Sequence, residues 1–86
     1  MTTLYKPTNY STVSPYLVVD GANSTIDFLT RVFDAVELRR FLDDEGKIMH
    51  AEVRIDDTVI MLADGAEGWP LMPSYVHIYV SILRLA

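Results

Sequence analysis

The chain has 86 residues, half of them apolar, with 12 acids against 7 bases and a formal charge of −5. That length makes one small domain, which buries only roughly 60% of the surface its unfolded chain exposes. With no cysteine, disulfides and thiolate metal sites are excluded, and with no cluster of Lys and Arg to neutralise phosphates, nucleic acid and anionic membranes are poor partners.

Residues 1–12 carry Thr2, Thr3, Pro7, Thr8, Ser11 and Thr12, which give a core little to bury; they read as a flexible N-terminal arm whose Tyr5 and Tyr10 can dock on the domain or on a second subunit. The arm lacks the basic region and apolar core of a signal peptide, and charges interrupt every apolar run before it reaches the length of a membrane span. A cytoplasmic location is the expectation. Residues 13–86 form the domain. Val13–Val19 is β-branched and apolar, a strand with Pro15 near its start. Asp20–Thr25 is rich in residues that cap helices, and Ile26, Leu29, Val32 and Phe33 then recur at helical spacing, with Asp27, Thr30 and Arg31 on the other side. The helix should end near Asp34.

Val36–Asp43 reads as a second strand and Asp43–Lys47 as a hairpin turn. Ile48–Ile55 alternates, with Met49, Ala51, Val53 and Ile55 on one face and His50, Glu52 and Arg54 on the other. After the Asp56-Asp57 turn, Thr58–Ala63 is a strand apolar enough to be covered on both faces. A Gly and Pro loop holding Trp69 follows, and Tyr75–Leu83 is β-prone again. Most acids fall in turns, where they serve solvation and turn chemistry. Glu52 is the exception, because it lies mid-strand.

Ser14–Asp20, Ile26–Phe28, Met49–Ile55, Val59–Asp64 and Pro73–Val80, in this order and spacing, resemble successive segments of the glyoxalase, bleomycin-resistance and dioxygenase superfamily (the vicinal oxygen chelate fold), with most similarity to its PhnB-like branch. The resemblance spans residues 14–80. It implies an α+β fold: a βαβββ module with an extra C-terminal strand, its curved mixed sheet carrying one helix on the convex face. In that superfamily two modules pair to enclose a cup for the substrate and usually a divalent metal. This chain resembles half of such a domain, because Ser81–Ala86 stand where the second module's acidic turn and helix would follow. A lone sheet would leave Val18, Val59 and Met61 facing water, and an exposed apolar patch marks an interface, so a homodimer that completes the cup is expected, with the strand around His77 paired in its own chain or swapped into the partner.

The resemblance maps the family's metal ligands onto Ser14, Met61 and His77, with a further one beyond the chain. Serine and methionine suit a divalent ion poorly, so no metal or other cofactor is expected, and His77 alone stays as a candidate ligand. Period-two alternation then points Tyr16, His50, Glu52, Met61, His77 and Tyr79 into the cup, and Trp69 can close over it. His50 and Glu52, about 6.5–7 Å apart along one strand face, can act as acid and base or as a ligand pair. The plainer reading, a hydrogen-bonded polar cluster that includes Arg54 and fixes the sheet, outweighs that one. The function expected is binding of a small organic ligand at the homodimer interface. Two alternatives stay open: a metal-dependent lyase, isomerase or dioxygenase of glyoxalase type, and a truncated module that dimerises without an active site.

Overall fold

The computed structural model describes residues 5–72 and 74–81. Its elements are β1 (Tyr16–Val19), α1 (Ala22–Phe33), β2 (Val36–Leu42), β3 (Ile48–Ile55) and β4 (Thr58–Asp64). They build a small α+β domain in which one helix packs against a four-stranded mixed sheet of order β1-β4-β3-β2. β1 runs parallel to β4, and the β2–β3 and β3–β4 pairs are antiparallel. No helix among the described residues is long and apolar enough to cross a membrane.

The helix forms because its apolar stripe has a sheet to cover. Ala22, Ile26 and Leu29 are buried against Ala51 and Val53 of β3 and Ile60 and Leu62 of β4, with Phe33 packed on the cluster. On its outer face Asp27 and Arg31 pair at 2.7 Å. Asp34 closes α1 in the left-handed region (φ 58°), where the sequence placed its end.

The start of α1 departs from the sequence reading. None of the capping residues in Asp20–Thr25 supplies a side-chain cap; the N-cap is Gly21 in the left-handed region (φ 87°). The first-turn N–H of Ala22 donates instead to Asp64 Oδ1 (2.8 Å), and Asp64 Oδ2 accepts the N–H of Ile48 (2.8 Å). A carboxylate at the end of β4 thus ties the first turn of the helix to the first residue of β3. At Gly21 a Cβ would meet nothing nearer than 3.9 Å, so a side chain there is opposed by backbone conformation alone. Gly21→Ala should lower stability by about 1 kcal/mol, read from urea unfolding followed by circular dichroism.

Two register shifts set which side chains share a face. On β2, Glu37 pairs with Val53 and Arg39 with Glu52, so Leu38 is the extra residue. On β3, Phe41 pairs with His50 and Leu42 with Ile48, so Met49 is the extra residue. A bulge of this kind changes the alternation by one. For that reason Ile48, not Met49, joins the helix-side core: Ile48 is 2% exposed and Met49 60%, a correction to the simple period-two pattern.

Two further expectations are corrected. Val18 and Val59 do not face water: they are 8% and 0% exposed. The segment leading into β1 lies along β4, where Ser11 Oγ accepts the N–H of Val59, and Met72 donates its N–H to the Val18 carbonyl. The predicted C-terminal strand, Tyr75–Leu83, is also missing from residues 75–81, which adopt no regular structure, while residues 82 and 83 of that prediction lie outside the described ones. β-prone composition makes a strand only where a neighbouring strand supplies the ladder, and no named strand pairs with this segment.

Candidate functional site

The sheet face away from α1 carries the polar cluster. Ladder pairing puts Tyr16 beside Met61, Met61 beside Glu52, and Glu52 beside Arg39, one row across all the strands. His50 lies two residues from Glu52 on the same face and pairs with Phe41.

Glu52 is the buried charge of this face, 6% exposed. A carboxylate so placed has to be met by donors. His50 Nε2 lies 2.7 Å from Glu52 Oε2, the Tyr10 hydroxyl donates to Oε1, and Arg39 Nε stands 3.4 Å from that same oxygen. Burial by itself would raise the Glu52 pKa, but the hydrogen bonds from His50 and Tyr10 and the charges of His50 and Arg39 outweigh it and hold the carboxyl below its ordinary value. The same bond and charge raise the Tyr10 pKa. Burial, and then the Glu52 charge, raise that of Tyr16.

Beyond His50 the chain continues, with Nδ1 3.0 Å from the Tyr16 hydroxyl. With Nε2–H donated to the carboxylate, the neutral ring offers Nδ1 as an acceptor, which the Tyr16 O–H fills. A ligand hydroxyl taking the place of Tyr16 would meet the same acceptor. The rings form a row as well: Phe41 and His50 have centroids 6.3 Å apart, His50 and Tyr16 5.5 Å, and Tyr16 meets Trp69 edge-on at 6.0 Å. Over the Glu52 end of this face opens a cleft of about 370 Å³ that includes Lys6, Tyr10, Ser14, Arg39, Glu52 and Met61 in its lining.

Of the residues proposed from sequence, the structure brings together Tyr16, His50, Glu52 and Met61, and joins Trp69 to them through Tyr16. It does not bring His77 and Tyr79 there. These two rings meet at a tilt of 55° (centroids 4.6 Å apart) and line a different cleft of about 460 Å³, alongside Pro15, Asp57 and Ile60. The alternation argument that pointed them into the cup needed a strand, and residues 74–81 form none. Arg54 is corrected too. The cation on Glu52 is Arg39, because the bulge at Leu38 carries Arg39 into register with it.

Arg39 left no mark in the sequence that separates it from other strand arginines. Tyr10 was legible as a docking tyrosine, but not as the partner of Glu52. The positions mapped to family metal ligands do not fit a divalent ion. Ser14 shares its hydroxyl with Ser11 (3.0 Å), Met61 offers a thioether, both Glu52 oxygens are already engaged, and His77 lies in the other cleft.

An uncharacterized protein of Mycobacterium bovis is 52% identical to this chain over 52 residues, which cover 60% of this chain and 34% of that protein. An uncharacterized protein of Mycobacterium tuberculosis (strain H37Rv) is likewise 52% identical over 52 residues, covering 31% of its length. The matched segment thus spans about a third of these curated relatives. No family model matches the chain, and no solved structure matches it at a significant level.

Proposed function

We propose that this chain is a small-molecule binding protein of the glyoxalase and bleomycin-resistance type, which holds an organic ligand on the sheet face away from α1 in a cup shared by two copies. The observation that carries the binding reading is the cleft of about 370 Å³ over a buried Glu52 whose two oxygens both take donors. Its volume falls within the roughly 300–1,000 Å³ of small-molecule sites, and such sites combine apolar walls with a few fixed polar groups. The order strand, helix, three strands and the single helix on one side of a mixed sheet support the family part. Support for the shared cup comes from Val36, Phe41 and Trp69, which are 50%, 53% and 47% exposed.

A thermal-shift panel of aromatic and aliphatic acids, amides, alcohols and amines tests the reading. A ligand at about 100 times its Kd adds about 2.7 kcal/mol, a rise of several degrees for so small a domain. Met61→Trp, which fills the cleft, should cancel the rise. A panel without any shift, or shifts that survive Met61→Trp, overturns the binding reading. Light scattering during gel filtration should give twice 9.7 kDa; a monomer at every concentration overturns the shared cup.

A further inference from the structure

The cleft over Glu52 has a charge imbalance that the composition hides. The chain as a whole is acidic, at −5. Yet this cleft is lined by two cationic side chains, Lys6 and Arg39, against one carboxylate, Glu52.

The carboxylate has little left to offer a ligand. Its side chain is 8% exposed, and its oxygens already take Tyr10, His50 and Arg39. The cations are in the opposite condition. Arg39 meets Glu52 through Nε, at 3.4 Å, and its side chain is 54% exposed. A hydrogen bond to the Tyr10 hydroxyl takes a further donor, and the half-exposed guanidinium, with five N–H donors in a flat fork, keeps others for a carboxylate. Lys6 Nζ bonds the neutral hydroxyl of Thr12 at 3.0 Å and meets no carboxylate in the cleft lining. Ser11, Thr12 and Ser14 add hydroxyls, while Pro7 and Met61 supply the apolar surface.

We propose, building on the ligand-binding reading above, that the cleft selects a small organic carboxylate. Its head lies between Lys6 and Arg39, and its apolar body lies over Met61 and Pro7. A cation would meet two like charges and a buried carboxylate whose oxygens both already take donors. A neutral ligand would leave the Arg39 fork unmatched. The volume of about 370 Å³ is near the small end of ligand sites, which limits the body to about one ring or a short branched chain. Charge-assisted hydrogen bonds are roughly twice as strong as neutral ones, so the charge of the head should dominate selection.

The experiment uses matched probes, phenylacetate, phenylacetamide and phenethylamine, titrated by calorimetry into the full chain at 0.05 and 0.5 M NaCl. The acid should bind about tenfold or more tightly than the amide, and the high salt should erode that advantage. Arg39→Gln should bring the acid down to the affinity of the amide. Lys6→Gln, on the exposed arm, should lower the affinity for the acid about threefold and keeps the test open if Arg39→Gln fails to fold. Equal binding of acid and amide, or preference for the amine, overturns the carboxylate inference and leaves the binding reading standing. Silence of all three probes, while other members of the thermal-shift panel bind, also overturns the inference alone. Silence of the whole panel overturns both.

Discussion

Replacing Asp64 with alanine is expected to destabilise the domain by about 2–4 kcal/mol, measured by urea unfolding at pH 7. The carboxylate accepts the N–H of Ala22 through one oxygen and that of Ile48 through the other, at 2.8 Å each. Hydrogen bonds to a charged group contribute about 1.5–3 kcal/mol apiece, and the half-buried position lets water recover part of the loss. Against a total stability of about 5–10 kcal/mol for a domain of this size, that is a large share. Asp64→Asn keeps a single acceptor oxygen but turns its amide donors on the other backbone N–H, so it should also cost about 2–3 kcal/mol. Burial works to raise the Asp64 pKa, but the backbone N–H groups of Ala22, Ile48 and Gly21 and the charge of Lys47 outweigh it, so the folded value lies below the ordinary 3.8. A depressed carboxyl contributes stability that is fully present above its unfolded pKa and is lost as the pH falls through the folded one. Wild-type stability should therefore fall as the pH drops below about 4, with Asp64→Asn showing a shallower slope there. Equal acid slopes for the two proteins would remove Asp64 from the account.

That result bears on what local sequence pattern can and cannot show. β3 was legible to the residue, Ile48–Ile55, because an alternating run between two turn sequences carries its own boundaries. The end of α1 at Asp34 was legible for the same reason. The cap of α1 was not, because its acceptor comes from Asp64, 42 residues away, and the local candidates in Asp20–Thr25 were plausible substitutes. The bulges at Leu38 and Met49 leave no residue signature such as glycine, yet they decide that Ile48 enters the core and that Arg39, not Arg54, reaches Glu52.

The site divides along the same line. His50 and Glu52 were legible as neighbours because they sit two apart on one strand, which fixes their face whatever the partner strands do. His77 and Tyr79 were placed by assuming a ladder for residues 74–81, and without one their alternation has no meaning. Features carried within one element could be read from the chain. Features that depend on what another element brings alongside could not.

Glu52→Gln tests whether that cluster holds the sheet face together. The substitution keeps the shape of the side chain but replaces one acceptor oxygen with an amide that donates. Both oxygens face donors, Tyr10 and Arg39 on one and His50 on the other, so the amide either turns its N–H on Tyr10 and Arg39 or forces the His50 ring to change tautomer and reverse its bond to Tyr16. The expected loss is about 2–3 kcal/mol in urea unfolding, larger than for Tyr10→Phe, which removes one donor and should cost about 1 kcal/mol. The arm should also loosen, since Tyr10 anchors it to the sheet, and chymotrypsin should cut after Tyr10 faster in the variant. A spectroscopic readout separates this from simple loss of packing. The Glu52 bond and charge raise the Tyr10 pKa, and the Glu52 charge contributes to raising that of Tyr16, both from the ordinary 10.0. In Glu52→Gln the ultraviolet titration of these tyrosines should move back toward that value. A variant that loses stability while both tyrosines titrate as before would show that Glu52 acts by filling space. A variant that keeps its stability would show that the donors around Glu52 are satisfied equally well by water.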